Sequence, residues 1–102
     1  MEGILILRAY IVGGGAVVHT EFLLIHPFRE GNGRLARWLA DLMTVQADLP
    51  PPLYLFSGRG SMHWRSRYLD AVINGYSQRY GDLALFFEDA ILLSLSELAR
   101  PN

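Results

Sequence analysis

Twelve residues, His26-Pro27-Phe28-Arg29-Glu30-Gly31-Asn32-Gly33-Arg34-Leu35-Ala36-Arg37, constrain this chain more than any other feature in it. Pro27 fixes its own φ and pushes the residue before it toward extended geometry, so a helix running up to His26 has to end there. Gly31 and Gly33 bracket Asn32, and both can take φ > 0 and bring the backbone close to a ligand. Beyond Gly33, apolar residues at Leu35, Trp38, Leu39, Leu42 and Val45 recur three and four apart, the period of an amphipathic helix. The order is therefore helix, short loop, helix, with the glycines opening the second helix.

That order has chemical content. The first N–H groups of a helix lack internal acceptors, and together with the positive end of the helix dipole they make an anion site. Arg34 and Arg37 lie three apart at the same end, on one face. Cations there are unfavourable unless an anion is expected. Glu30 is a hard-oxygen ligand suited to Mg²⁺, which takes only one or two protein carboxylates when it bridges phosphates. His26, with an ordinary pKa near 6.5, can accept a proton from a hydroxyl at neutral pH. Phe28 is apolar among polar neighbours and pins the loop to the core. These residue types in this order imply phosphoryl or nucleotidyl transfer from a Mg²⁺-bound nucleotide.

The stretch also resembles the signature of the Fic family, His-Pro-Phe-x-Asp/Glu-Gly-Asn-Gly-Arg-x-x-Arg, and every fixed position of that pattern is present. The resemblance implies a protein adenylyltransferase, a nucleotidyltransferase that moves AMP from ATP to a Ser, Thr or Tyr hydroxyl of a target protein and releases pyrophosphate. It implies His26 as general base, Glu30 as the Mg²⁺ ligand and Phe28 as the anchor of the loop. Gly31, Asn32 and Gly33 would form the anion hole, with Asn32 close to the α-phosphate, and Arg34 and Arg37 would bind the β- and γ-phosphates. Glutamate instead of aspartate at the metal position is a common variant of the family.

At 102 residues the chain is long enough for one small domain with one modest core. Nine basic and ten acidic residues leave no bulk field to draw nucleic acid or an anionic membrane. There is no cysteine, which removes disulfides and thiolate metal sites. A cytoplasmic protein fits this composition.

Along the chain, Ile4–Val12 is apolar and β-branched, too short to span a bilayer, and reads as either a strand or an added helix. Gly13-Gly14-Gly15 interrupts it. Residues 16–25 resemble the helix that precedes the Fic loop, with His19 as a packed or hydrogen-bonded helix residue. The second helix is expected to end near Ala47, before Pro50-Pro51-Pro52, which cannot continue a helix and make an extended connector. Asp41, four residues after Arg37, is placed to pair with its guanidinium. Tyr54 and Phe56 lie in the following loop, where they pack in the core or line a nucleotide's base. Ser61 is a candidate N-cap for a helix over 62–80 that buries Leu69, Val72, Ile73, Tyr76 and Tyr80, with Gly81 as its C′ residue. Arg59, Arg65, Arg67 and Arg79 read as solvated. Asp82 then caps a helix over 83–99 that is apolar almost all round and needs cover on more than one side, from a homodimer partner or from chain outside this sequence.

The expectation is thus an all-α, Fic-type helical bundle spanning 1–102, with its core over 16–95. Residues 1–15 form an atypical or truncated segment, a strand or flap remnant. Fic domains usually carry further helices and a β-hairpin flap that docks the target by strand addition, and only about fifteen residues precede the first helix here. The family's inhibitory pattern, Ser/Thr-x-x-x-Glu-Gly/Asn, is absent: no Ser or Thr has Glu four residues on. By resemblance, inhibition would come from a separate partner or an N-terminal part. The alternative to an active transferase is a truncated or degenerate Fic domain serving as a nucleotide-binding or partner-binding module. A different phosphate-containing donor is a third reading.

Overall fold

The computed structural model describes residues 14–25 and 30–100. Among them the chain forms four helices and no strand: α1 (Gly15–Ile25), α2 (Asn32–Gln46), α3 (Ser61–Tyr76) and α4 (Gly81–Leu98). The all-α expectation holds. The strand or added helix expected at Ile4–Val12 lies outside the described residues. No helix of the described residues is long and apolar enough to cross a membrane.

α1 is the shortest helix and the hub, packing against the other three. Its buried positions are Gly15, Ala16, His19 and Thr20. Small side chains recur on the faces turned inward elsewhere: Ala36, Ala40 and Thr44 on α2, Ala71 and Gly75 on α3. The bulk of the core comes from α4, where Leu83, Phe86, Phe87 and Ile91 are fully buried. Phe86 is ringed by Tyr54, Phe56, Trp64, Tyr68 and Phe87, all with centroids 5.2–6.2 Å away, and deleting a ring packed in this way typically costs about 3–5 kcal/mol.

This division corrects two readings of the sequence. On α3 the buried face is Tyr68, Ala71, Val72 and Gly75, whereas Leu69, Ile73 and Tyr76 are exposed. On α2, Trp38, Leu42 and Val45 face outward. The large apolar residues mark the wrong face because the helices meet through their smallest ones, where backbones approach most closely.

Helix ends also differ from expectation in physical detail. Gly60 (φ 84) rather than Ser61 occupies the cap position of α3. α3 ends at Tyr76, with Gln78 in the left-handed region (φ 61), so Gly81 is not its C′ residue but opens α4. Asp82 sits inside the first turn of α4, where its carboxylate accepts Asn74 Nδ2 at 2.8 Å. α2 closes through Ala47 and Asp48, the latter also left-handed (φ 61). The proline segment then runs extended along α4, with Leu53 N–H donating to Ala90 O at 2.9 Å and Ser94 Oγ donating to Pro51 O. That connector, with α1 and α3, gives α4 the cover its apolar surface requires, although Leu85, Leu92 and Leu98 stay exposed. Arg67, expected in solvent, instead pairs with Asp89 at 2.7 Å and lies over the Trp64 and Phe86 rings, which ties α3 to α4.

α1 and α3 meet closely at Gly75 and Thr20. A β-carbon on Gly75 would meet Thr20 Oγ1 at 2.7 Å, and this hydroxyl has no hydrogen-bond partner among the described residues. Gly75→Ala is therefore expected to destabilise the fold by about 1–3 kcal/mol through overpacking, despite the better helix propensity of alanine. Thr20→Ala combined with Gly75→Ala should recover most of the loss in thermal melting. A Gly75→Ala chain that melts no lower than the parent would refute this packing account.

Candidate active site

α1 is described as far as Ile25, and the helix stop expected at His26-Pro27 lies outside the described residues. His26 and Phe28 themselves lie outside the described residues. The described part of the stretch begins at Glu30, exposed, followed by Gly31 in the left-handed conformation (φ 82, ψ 7) as the N-cap of α2. That backbone requires glycine, since a β-carbon there would be strained. Gly33 was expected to share the role; it lies instead within the first turn, so α2 starts at Asn32, ahead of Gly33 rather than beyond it.

The first backbone bond into the helix is Leu35 N–H to Gly31 O, 3.0 Å. Among the described residues no side chain caps this end, and the N–H groups of Gly33 and Arg34 have no acceptor within the helix. Asn32 is buried at the first helical position. These positions are what an anion at a helix N-terminus needs.

The two arginines part company. Arg34 is exposed, whereas Arg37 is half-buried, so they do not project alike from the helix end. Arg37 folds back toward the first turn, where a β-carbon on Gly33 would meet its Nη1 at 3.3 Å. Its guanidinium lies over the rings of Phe56 and Tyr68, 5.4 and 5.6 Å from their centroids. Such contacts are each worth about 0.5–2 kcal/mol. The ion pair expected with Asp41 does not form; Asp41 Oδ1 accepts the Tyr54 hydroxyl at 3.3 Å instead. Burial pushes the Asp41 carboxyl above its usual range, while Tyr54 and the charge of Arg37 pull it back. Tyr54 belongs to the core, stacked on Phe86, and Phe56 faces Arg37.

His19 holds this arrangement from below, in the packed role expected of it. It is 1% exposed. Its Nδ1 lies 3.2 Å from Ala36 O and its Nε2 2.6 Å from the Tyr68 hydroxyl. A carbonyl can only accept, so Nδ1 carries the proton and Nε2 accepts from Tyr68 in the neutral ring. Burial lowers the His19 pKa from 6.5 to about 4, opposed by the bond to Ala36 and assisted by the charge of Arg37. Burial likewise raises the Tyr68 phenol, with the guanidinium of Arg37 beside it pulling the other way. The Phe56–Tyr68 seat for Arg37 was not visible in the sequence, because both rings come from later elements and carry no local motif.

Glu30 is a single exposed carboxylate just ahead of the α2 N-terminus, and no group of three His, Cys, Asp or Glu side chains among the described residues could hold a metal. This donor set fits a Mg²⁺ held chiefly by phosphate oxygens and does not fit an all-protein cage.

Residues 7–44, which include this whole stretch, match the Fic/DOC family model. Protein adenylyltransferase fic-1 of Caenorhabditis briggsae is 44% identical over 36 residues, 35% of this chain and 7% of that protein. The fic-1 protein of Caenorhabditis elegans gives the same figures. Protein adenylyltransferase Fic of Nematostella vectensis is 37% identical over 60 residues, 59% of this chain and 13% of that protein. The matched part of the chain thus spans about a tenth of the length of these Fic relatives. No solved structure matches it.

The neutral His19 gives a pH signature. The unfolded imidazole takes a proton near pH 6.5, whereas in the fold it stays neutral until about pH 4. Its contribution is therefore complete above pH 6.5 and is lost as pH falls through 4, on the order of 3 kcal/mol in all. Urea unfolding of the parent and of His19→Gln at pH 7, 5.5 and 4 should show the stability gap between them narrowing by that order. A gap independent of pH would mean that His19 is not held neutral.

Proposed function

We propose that this chain transfers AMP from ATP to a Ser, Thr or Tyr hydroxyl of a target protein. The observation that carries the reading is the left-handed Gly31 cap opening α2, with Arg37 turned back against Gly33 at the same helix end. It falls in the segment that matches the Fic/DOC model, and proteins named protein adenylyltransferase are similar to part of this chain.

In this reading the N–H groups at the start of α2 receive phosphate oxygens, with Asn32 beside the α-phosphate and Arg34 and Arg37 on the β- and γ-phosphates. A guanidinium presents a planar fork that suits phosphate, and one held on ring faces is already oriented when the nucleotide arrives. Glu30 holds Mg²⁺, which when bound offsets the charge of the phosphates. Phe28 anchors the loop that carries His26. His26 takes the proton of the target hydroxyl, the freed oxygen forms a bond to the α-phosphorus, and the bond between that phosphorus and the α–β bridging oxygen breaks. Its electron pair leaves with pyrophosphate.

Removing a general base costs on the order of 10²–10⁴-fold in rate. Incubated with Mg²⁺, ATP labelled at the α-phosphate and a mixture of cellular proteins, the parent should label targets and His26→Ala should lose that labelling by at least about 10²-fold. Calorimetric affinity for ATP should stay within about twofold of the parent's, since the base is not a phosphate ligand. Equal labelling by the two chains would remove His26 from the reaction. Binding of ATP by the parent without any labelling would turn the reading to a nucleotide-binding module.

A further inference from the structure

Beside Arg37 the surface opens into a cavity of about 330 Å³ lined by Arg37, Phe56, Arg65, Tyr68 and Leu69. Two arginines line it and, among the described residues, no carboxylate does. A larger cavity of about 580 Å³ between α3 and α4 differs in this respect, because Arg67 there has Asp70 and Asp82 on the same walls and Asp89 as an ion-pair partner. Among the described residues, the positive charge of the smaller cavity is uncompensated. Both cations are fixed by one residue: Arg37 lies over the Phe56 ring, and Arg65 Nε donates to Phe56 O at 2.8 Å. That bond uses one of the five Arg65 donors and leaves the terminal amino groups for a ligand.

From this juxtaposition we infer that Arg65 is a further polyphosphate-binding residue, taking the distal end of the phosphate chain whose proximal end lies at the α2 N-terminus. The inference rests on the nucleotide reading above. Charge decides between the occupants a nucleotide could offer. The aromatic walls alone would suit a base, but a neutral base leaves two neighbouring cations uncompensated, whereas a phosphate tail offsets both. Arg37 spans the distance, since it touches the first turn of α2 through Gly33 and the cavity through Phe56 and Tyr68. Arg65 was expected to be a solvated charge; its bond to the Phe56 carbonyl gives it a fixed direction instead.

The test is calorimetry on the full chain with Mg²⁺–ATP, Mg²⁺–tripolyphosphate and AMP. Arg65 is exposed, so Arg65→Gln should fold, which melting will show. Loss of one charged phosphate contact at a solvated site should weaken ATP and tripolyphosphate about 5–20-fold and AMP less than about twofold. Arg79→Gln, which removes an exposed arginine outside this cavity, should leave all three unchanged and so accounts for bulk charge. ATP affinity of Arg65→Gln equal to the parent's overturns this inference alone, as does an equal loss for ATP and AMP. A parent that binds none of the three overturns the nucleotide reading and this inference with it.

Discussion

The bonds from the His19 ring to Ala36 O and the Tyr68 hydroxyl organise everything near the α2 N-terminus. One buried imidazole on the hub helix satisfies a backbone carbonyl of α2 and the side chain of a residue on α3. The buried ring itself could not be left without partners at no cost, because a buried polar group stripped of water and given nothing in return loses about 1–3 kcal/mol. The ring of Phe87 at 5.0 Å closes the remaining side. With Tyr68 fixed, its face becomes one half of the seat on which Arg37 rests, so a structural histidine sets the direction of a cation it never touches.

The fold was legible wherever the signal is local. The four helices and the extended proline connector each follow from residues that act on their own backbone. The faces of α2 and α3 were not legible, because they are decided by how closely two helices meet. Leu69 and Ile73 are larger and more apolar than Ala71 and Gly75, and periodicity weighs them accordingly. Thr20 on α1 admits only a glycine opposite it, and that fact belongs to a pair of positions 55 residues apart.

The candidate site divides in the same way. Gly31, Asn32 and the arginines signal a glycine-opened helix start within twelve consecutive residues, and Gly31 caps α2 in the left-handed conformation. The setting of Arg37 could not be read there. Asp41 is the nearer partner in sequence, one turn along the same helix, yet the guanidinium rests on rings 19 and 31 residues downstream. Once Tyr54 takes the Asp41 carboxylate, two aromatic faces in a partly dehydrated setting outweigh an exposed helical ion pair, worth only about 0.3–0.5 kcal/mol.

Asp48 and Gln78 have a separate significance. Each closes a helix with a backbone twist that disfavours a side chain, at about 1 kcal/mol, and the aspartate tolerates it better than the glutamine. Neither residue belongs to the buried core or touches the arginine seat. The bundle therefore retains slack at two of its joints, and asparagine or glycine at position 78 is where a hardier version of the same scaffold would begin.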